Sequence, residues 1–345
     1  MIHTATGNLL EANVEALVNT VNTVGVMGRG IALQFKRAFP GNFRAYAKSC
    51  KAGEVVPGKM FIYETGTLSN PKLIINFPTK RHWRAKSQLS DIKAGLAALV
   101  ADVERLGVRS IAIPPLGCGL GGLDWNDVRP MIESALAHLA DVDVQLYAPV
   151  GAPSLESQPI RTQRPNMTRA RAMYIKLMEL YAEPGYPLTA LEFQKLAYLL
   201  QASGEPLGLE FEEHIYGPYS DQLNRVLEAM EGHFVRGHTG DRGPAVELRL
   251  LPGAVEEASD VLSTLEHVDG RLRCVATIIV GFETPYGLEL LASVHWLASR
   301  TPPITNPDEA AEQLRRWSSR KEELFPHAHV TSAWNQLRSA GQTPL

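Results

Sequence analysis

Two glycine-rich loops and a lysine between them are the parts of this sequence best suited to chemistry. The first loop lies within residues 18–30 and the second within 114–122, and each stands where a strand pattern gives way to a helix pattern. Glycines at such a junction let backbone N–H groups and the positive end of a helix dipole converge on an anion. Two such loops in one domain indicate a diphosphate held from both sides. The two loops therefore predict a nucleotide-like ligand, whereas Lys80 taken alone has the simpler interpretation of a solvated surface charge.

Each loop also has a simpler interpretation, because glycines at strand ends often serve turns that need positive φ. The second loop, residues 117–122, approximates the dinucleotide-binding fingerprint as well. That fingerprint needs an acidic residue about 20 positions further on, at the end of the next strand. Here Asp141 and Asp143 fall at the start of the next predicted strand. The dinucleotide-binding interpretation is therefore set aside, and the turn interpretation stays open beside the two-sided anion site.

Composition and cysteine usage set the broad class of the chain. Its 345 residues, with 45% hydrophobic and 21% charged residues, are enough for two globular domains with their own cores. No apolar run approaches the length that spans a bilayer, and the N-terminus lacks the pattern of a secretion signal. The three widely spaced cysteines fit neither a disulfide framework nor a zinc site. We expect a cytoplasmic protein without metal or cofactor.

Strand and helix patterns alternate over the first 150 residues, which is typical of a sheet covered by helices on both faces. Predicted strands cover 2–6, 16–21, 59–64, 73–77, 110–114 and 142–148, and predicted helices cover 30–48, 91–106 and 125–139. Asp124 is the expected N-cap of the last of these helices.

A proline-bearing stretch without periodicity, residues 151–166, reads as a linker. The sequence therefore predicts a first domain over 1–150 and a second over 167–345. The second is mainly helical, with predicted helices at 168–181, 190–203, 220–232, 254–267, 286–298 and 308–319 and short strands at 211–216 and 245–250. Charge differs between the halves: residues 1–151 hold 16 Lys/Arg against 12 Asp/Glu, and residues 152–345 hold 18 against 25.

Three motifs in the first 150 residues resemble those of the macrodomain family. They are Thr6-Gly7-Asn8-Leu9, the run from Asn19 and Asn22 to Gly28-Arg29-Gly30-Ile31, and the loop Pro114 to Gly121. The resemblance implies an α/β macrodomain, a three-layer αβα fold with a mixed sheet, that binds ADP-ribose. Asn76-Phe77-Pro78-Thr79-Lys80 together with Leu116-Gly117-Cys118-Gly119-Leu120 further resembles the terminal ADP-ribose glycohydrolases that use a lysine.

The resemblance also implies roles for individual residues. Catalytic roles fall on Lys80 and Asn22, with the amide of Asn22 against the distal ribose. Lys80 is either a nucleophile at the anomeric carbon or a charge that stabilises the departing base. The implied ADP-ribose-binding residues are Asn8, Leu9, Asn22, Gly28, Arg29, Gly30, Ile31, Thr79, Pro115, Gly117, Cys118, Gly119, Leu120 and Gly121. Cys118 is interpreted as a packing residue of its loop rather than a nucleophile.

Two positions depart from the family pattern. Many macrodomains carry an adenine-contacting aspartate where this sequence has Asn8, which makes the adenine preference less strict. The related lysine-type enzymes carry an aspartate, used in a later catalytic step, where this sequence has Gly121. Without that acid, the enzyme needs either another proton donor or a leaving group that departs as an anion. Thymine N3 is such a group, so the departure favours base-linked over protein-linked ADP-ribose.

The stretch Lys80–Lys86 combines basic residues with one tryptophan and indicates contact with nucleic acid. Basic side chains neutralise phosphates and an aromatic ring stacks on an unpaired base. Arg81, Trp83 and Arg84 are the candidates for DNA contacts. The simpler alternative is a solvated approach to the next helix.

In the second domain, the Gln194-Lys195-Leu196 helix and the Tyr216-Gly217-Pro218-Tyr219 turn resemble the Panacea, or SocA-like, antitoxin domain. The full pattern resembles the family of bacterial DNA ADP-ribosyl glycohydrolase antitoxins. It implies hydrolysis of ADP-ribose from thymidine in single-stranded DNA and binding of a DNA ADP-ribosyltransferase toxin (DarT-like) by the acidic second domain. The alternatives are an ADP-ribose reader without turnover and a hydrolase of protein-linked ADP-ribose.

Overall fold

The computed structural model describes residues 1–149, 151, 153–182, 185, 188–240, 247–263, 265 and 268–342. The chain forms two compact units, Met1–Gln163 and Arg164–Leu345. Within the described ranges, no helix combines the length and the apolar character needed to cross a membrane.

Strands and helices alternate through unit 1. In chain order they are β1 (Ile2–Ala5), β2 (Ala16–Asn22), α1 (Gly30–Ala38), α2 (Pro40–Lys51), β3 (Phe61–Glu64), β4 (Leu73–Lys80), α3 (Leu89–Leu106), β5 (Ser110–Ile113), α4 (Trp125–Leu136) and β6 (Asp143–Tyr147). Short 3-10 helices cover Leu9–Glu11 and Leu155–Ser157. The Asp124 side chain accepts a hydrogen bond from Asn126 N–H, which confirms the expected cap of α4.

The six strands form one sheet in the order β1-β6-β5-β2-β4-β3, in which β3 is antiparallel to β4 and the other neighbours are parallel. Alternate residues of β2 face opposite sides, as the strand geometry requires. Ala16 and Val18 join a core with residues of α3 and α4, whereas Leu17 joins Phe35 of α1 on the other face. The predicted three-layer α/β macrodomain fold with a mixed sheet is confirmed.

The predicted single helix over 30–48 is wrong, because the structure has two helices there. The chain leaves the helical conformation at Phe39, with φ −133° and ψ 69°, and α2 starts at Pro40. Proline disfavours helical geometry in the residue before it and has no N–H to donate, although it suits a first turn. Pro40 therefore ends one helix and begins the next.

Part of the predicted linker belongs to unit 1. The carbonyl of Ser157 accepts a hydrogen bond from Asn8 Nδ2 at 2.8 Å, and Gln158 is buried. Arg161 N–H donates to the Arg37 carbonyl at 2.9 Å, and its guanidinium lies 5.4 Å from the centroid of the Phe39 ring. The boundary between the units falls after Gln163, within the stretch 151–166 that the sequence predicted as a linker.

Unit 2 is mainly helical, as predicted. Its elements are α5 (Arg169–Ala182), β7 (Leu188–Thr189), α6 (Ala190–Ala202), β8 (Glu212–His214), β9 (Gly217–Tyr219), α7 (Asp221–Met230), β10 (Val235–Arg236), β11 (Glu247–Leu250), α8 (Ala254–Leu262), α9 (Val268–Ile279), α10 (Pro285–Ala298), α11 (Pro307–Trp317), α12 (Ser319–Leu324) and α13 (His327–Ser339). The C-terminal part of the predicted helix 254–267 and the start of the predicted strand 245–250 include residues outside the described ranges.

The sequence missed helices α9, α12 and α13. Helix α9 contains Gly270 and β-branched residues, which lower helix propensity, and α12 is only six residues long. These helices pack in the large core of unit 2, where tertiary burial supplies the stability that local propensity lacks.

Candidate functional site

The candidate site lies at the edge of the sheet where the parallel strands β2, β4 and β5 end. The first glycine loop follows β2, Lys80 ends β4, and the second glycine loop follows β5. Because parallel strands present their carboxyl ends at one edge, three segments distant in sequence meet there.

A register shift between β2 and β4 brings the two predicted catalytic residues opposite each other. The pairing runs regularly from Ala16 opposite Leu73 to Val21 opposite Pro78, and then Asn22 pairs with Lys80. The strand pairing skips Thr79. This residue is buried, and its hydroxyl lies 3.4 Å from the Val21 carbonyl. Without the shift, Asn22 would face Thr79. The irregularity therefore joins Asn22 and Lys80 as neighbours on adjacent strands.

The Asn22 side chain holds the start of the first loop. Its Nδ2 donates to the Val26 carbonyl at 2.6 Å, and its Oδ1 accepts from the N–H groups of Val24 and Val26 at 3.0 and 3.3 Å. This is the loop-capping arrangement that an asparagine makes readily. Further along the loop, Gly28 and Arg29 lead into α1, which begins at Gly30 with Ile31 in its first turn. Gly30 has φ +57°, so a side chain there would strain the backbone.

Lys80 reaches from β4 to the second loop. Its Nζ donates to the Leu120 carbonyl at 2.5 Å. Partial burial lowers the pKa of Lys80 below the ordinary lysine value, and the nearby positive charge of Lys86 lowers it further. Both effects increase the fraction of neutral amine, which is the form that a lysine nucleophile needs.

The second loop follows Pro115 and contains glycines in two kinds of environment. Gly119 faces open space, whereas Gly117 and Gly121 are packed against neighbouring atoms. An ideal Cβ on Gly119 would meet no other described atom within 4 Å. A Cβ on Gly117 would lie 2.9 Å from Leu123 Cδ1, and one on Gly121 would lie 2.2 Å from the Gly117 carbonyl oxygen. The Gly121 carbonyl accepts a hydrogen bond from Ser87 N–H at 3.0 Å. Gly119 is therefore exposed with open space above it, whereas Gly117 and Gly121 set the shape of the loop.

Cys118 of the same loop has the properties of a packing residue. Burial, followed by the charge of Asp124, raises the pKa of its thiol to about 11. Its Sγ lies 3.5 Å from the Leu116 carbonyl. A thiol that stays protonated near neutral pH is a poor nucleophile, in keeping with the interpretation from the sequence.

Asn8 is engaged by its own chain. Its Oδ1 accepts from Leu10 N–H at 3.1 Å and so caps the 3-10 helix that begins with the buried Leu9, while its Nδ2 donates to Ser157. A ligand contact by the Asn8 amide would have to compete with these two hydrogen bonds.

The basic stretch after Lys80 lies largely on the surface. Arg81 makes a bidentate ion pair with Asp91, with N···O distances of 2.9 and 3.2 Å. Trp83 is 45% exposed, and the Arg84 guanidinium lies 4.4 Å from its ring centroid. An exposed aromatic ring beside a cation suits stacking on an unpaired base, and DNA contact by Trp83 and Arg84 remains a prediction. Arg81 offers less, because its charge is already partnered.

Comparison with known proteins gives the family. The Macro domain family model matches residues 18–132. A DNA ADP-ribosyl glycohydrolase of Thermus aquaticus is 48% identical over 342 residues, covering 99% of this chain and 94% of that protein. This chain belongs to the DarG family of DNA ADP-ribosyl glycohydrolases. The family member of Mycobacterium tuberculosis is 42% identical over 98% of this chain and 99% of its own length.

Among solved structures, the macrodomain of Mycobacterium tuberculosis DarG is 58% identical, covers 43% of this chain and 98% of its own, and has a TM-score of 0.43. A structure of the Thermosipho africanus DarTG protein with ADP-ribose is 33% identical over 46% of this chain, with a TM-score of 0.41.

In unit 2, the Gln194-Lys195-Leu196 motif contacts the Tyr216-Gly217-Pro218-Tyr219 turn and the residue that follows it. Gln194 on α6 exchanges two hydrogen bonds with the backbone of Ser220, at 2.9 and 3.0 Å, and Lys195 Nζ donates to the Pro218 carbonyl at 2.7 Å. Lys195 is 2% exposed, and burial lowers its pKa to about 7. The Gln-Lys pair therefore fixes the Tyr-Gly-Pro-Tyr turn, which gives this motif a structural role. Among the described residues, no three His, Cys, Asp or Glu side chains are grouped as metal ligands.

Sequence reasoning missed three residues that contact the site. Tyr46 on α2 donates to the Asn22 carbonyl at 2.5 Å, Ser87 packs against Gly117 and Gly121, and Lys86 Nζ lies beside Gly122. Lys86 was visible only as part of a basic stretch. Tyr46 and Ser87 had no signal in the sequence, because their contacts depend on packing between distant segments.

Proposed function

We propose that this chain is an antitoxin that removes ADP-ribose from thymidine bases of single-stranded DNA and also binds the toxin that attaches it. The pairing of Asn22 with Lys80 between two glycine loops carries the catalytic half of this proposal. It is supported by the relatives, named DNA ADP-ribosyl glycohydrolases, that align over almost the whole chain.

In this proposal the backbone N–H groups of the two glycine loops bind the diphosphate. Asn22 offers the distal ribose the second N–H of its Nδ2, because its Oδ1 and its other N–H hold the first loop. As a nucleophile, neutral Lys80 Nζ forms a bond to the anomeric carbon while the bond to thymine N3 breaks and the base keeps the electron pair. Water then displaces the lysine. In the other role, charged Lys80 stabilises the departing base while water attacks the same carbon.

Gly121 supports a base-linked substrate. The position is packed against the Gly117 carbonyl and the Ser87 hydroxyl, so an acidic side chain has no room there in this loop conformation. A reaction without an acid at this position suits a leaving group that departs as an anion, as thymine N3 does.

The deciding experiment is incubation of the purified protein with an oligonucleotide carrying ADP-ribose on thymidine. We expect release of free ADP-ribose and recovery of the unmodified oligonucleotide. A peptide carrying ADP-ribose on a carboxylate serves as the comparison substrate. Binding without release would identify a reader, and faster release from the peptide would identify a hydrolase of protein-linked ADP-ribose.

The pH dependence separates the two roles of Lys80. If Lys80 is a nucleophile, the rate rises as pH increases through its lowered pKa, because the neutral amine accumulates; if it acts as a charge, the rate falls over the same interval. Lys86→Met removes a neighbouring positive charge that lowers the Lys80 pKa, so the inflection moves to higher pH in both cases. Single-turnover rates across pH for both proteins test this. An inflection that stays in place would assign it to another group.

Unit 2 is the proposed toxin-binding part. It has its own core and is net negative, with 17 Lys/Arg against 24 Asp/Glu over residues 164–345, whereas residues 1–163 are net positive. A DNA-modifying toxin needs a basic DNA groove, which an acidic unit complements. We expect residues 164–345 to bind a DarT-like toxin with an affinity that falls as salt increases and that competes with single-stranded DNA. Pull-down with and without oligonucleotide measures both effects. A ternary complex of toxin, DNA and unit 2 would refute occupation of the groove.

A further inference from the structure

We infer that helix α2 positions the catalytic pair. Three of its side chains, Asn42, Tyr46 and Cys50, follow one another at four-residue spacing and so lie in one row along the helix. Each contacts a different part of the site: β4 before Lys80, Asn22 itself, and the first glycine loop. The inference rests on the proposed function, because it assigns a task to residues that contact the proposed catalytic groups.

Asn42 anchors the strand that ends in Lys80. Its amide and the amide of Asn76 exchange hydrogen bonds of 2.7 and 3.2 Å, and Asn19 on β2 donates to Asn76 Oδ1 at 2.9 Å. All three asparagines are completely buried. Buried amides are costly when unpaired, so each member holds the others in place. Asn76 therefore ties β4 to both α2 and β2 just before the strand reaches Lys80.

Tyr46 holds Asn22. Its hydroxyl donates to the Asn22 carbonyl at 2.5 Å and lies 3.4 Å from Asn22 Oδ1. The tyrosine is completely buried, and burial raises the pKa of its hydroxyl, which keeps it a donor. One hydroxyl thus contacts both oxygens of the residue that faces Lys80.

Cys50 packs against the first loop. Gly25 has φ +82°, and an ideal Cβ on it would lie 3.3 Å from Cys50 Cβ. The loop and the helix therefore meet without room for a side chain between them. The row on α2 accordingly contacts the site at three successive points.

The strand pairing alone does not fix Asn22. The β2–β4 ladder becomes irregular between Val21 and Asn22, and Pro78 on the opposite strand has no N–H to donate. At the position where the ladder weakens, the Tyr46 hydroxyl supplies the missing restraint. Tyr46 is therefore a positioning residue for Asn22, and through it for the geometry opposite Lys80.

The test is Tyr46→Phe, with Tyr63→Phe as the matched control. Tyr63 also packs on α2, but its hydroxyl lies over Gly41 at the start of the helix. We expect Tyr46→Phe to lower kcat for ADP-ribose release about 10- to 100-fold, because misplacement of a catalytic group is costly, and to change ADP-ribose affinity less than about threefold. Tyr63→Phe should leave both values near those of the wild type. Thermal unfolding verifies that each variant is folded.

A double-mutant comparison separates positioning from general stability. In an Asn22→Ala background, Tyr46→Phe should have little further effect on kcat, because the two residues act as a unit. Equal effects in both backgrounds, or wild-type kcat for Tyr46→Phe, would overturn the inference. If Tyr46→Phe does not fold, Cys50→Leu replaces it as the test variant, because the larger side chain presses on Gly25. We expect Cys50→Leu to lower kcat in the same way. Wild-type kcat for this variant would contradict the inference that α2 positions the catalytic pair.

A further measurement does not depend on turnover. Amide hydrogen exchange of residues 22–26 should be faster in Tyr46→Phe than in the wild type and unchanged in Tyr63→Phe. If the wild type releases no ADP-ribose from the oligonucleotide, the proposed function fails, while hydrogen exchange still reports whether Tyr46 holds the loop. Unchanged exchange would overturn the inference on its own.

Discussion

Lys80→Ala is expected to lower the release of ADP-ribose from DNA by about 10³-fold, as loss of a group that acts in the transition state does. Binding of free ADP-ribose should stay within about threefold of the wild-type value, because the glycine loops hold the diphosphate without the lysine. Lys80 lies at the end of β4 and only its Nζ contacts the second loop, so the fold should be preserved. Single-turnover assays and calorimetry with ADP-ribose separate catalysis from binding.

Two variants sharpen the interpretation of this result. Lys93→Ala removes one exposed lysine from α3 and should leave turnover unchanged. Lys80→Arg keeps the positive charge but gives no neutral amine, so substantial activity would favour charge stabilisation over nucleophilic attack. Near-normal turnover by Lys80→Ala would refute both roles.

Gly119→Glu is expected to eliminate binding of ADP-ribose as well as hydrolysis. Because no described atom beyond those of its chain neighbours lies within 4 Å of an ideal Cβ at this position, the folded protein accommodates a side chain, which then occupies the open space above the second loop. The carboxylate repels the phosphates that the second loop is proposed to bind. Like charges in contact cost several kcal/mol, which corresponds to a loss of affinity of about 10³-fold. Calorimetry with ADP-ribose measures the loss directly.

The uncharged variant Gly119→Gln has nearly the same shape and isolates the contribution of charge. It should weaken binding less than Gly119→Glu does, and both variants should unfold at temperatures close to that of the wild type. Unchanged affinity in Gly119→Glu would mean that the second loop does not hold the diphosphate, and the site would have to be placed elsewhere.

The sequence predicted the fold and the family best where a local hydrophobic pattern coincides with residue types suited to chemistry. Alternating strand and helix signals predicted the macrodomain fold, since amphipathic elements must bury their apolar sides in layers. The motifs around Asn22, Lys80 and Gly119 predicted the family, which the relatives confirm. The boundaries of most strands were predicted closely because hydrophobic alternation and flanking glycines are local properties of the chain.

Other features of the structure could not be predicted from local sequence patterns. Pro40 is a local signal for a helix break at Phe39. The hydrophobic pattern continues across this position, however, and therefore favoured a single helix. The sequence did not predict helices α9 and α13 or the contacts that the tyrosine and asparagine of α2 make. Their formation depends on residues that lie far apart in the chain. The packing of residues 157–161 on unit 1 has the same origin.

By itself, the sequence determined which residue types were available: the glycines of two loops, the amide of Asn22 and the amine of Lys80. Only the tertiary structure decided that Asn22 stands opposite Lys80, because a one-residue irregularity in a strand ladder leaves no trace in composition or periodicity. The contact of Tyr46 with Asn22 was decided in the same way. A side chain's partner across a fold depends on how layers pack, and packing is a property of the whole domain rather than of any one segment.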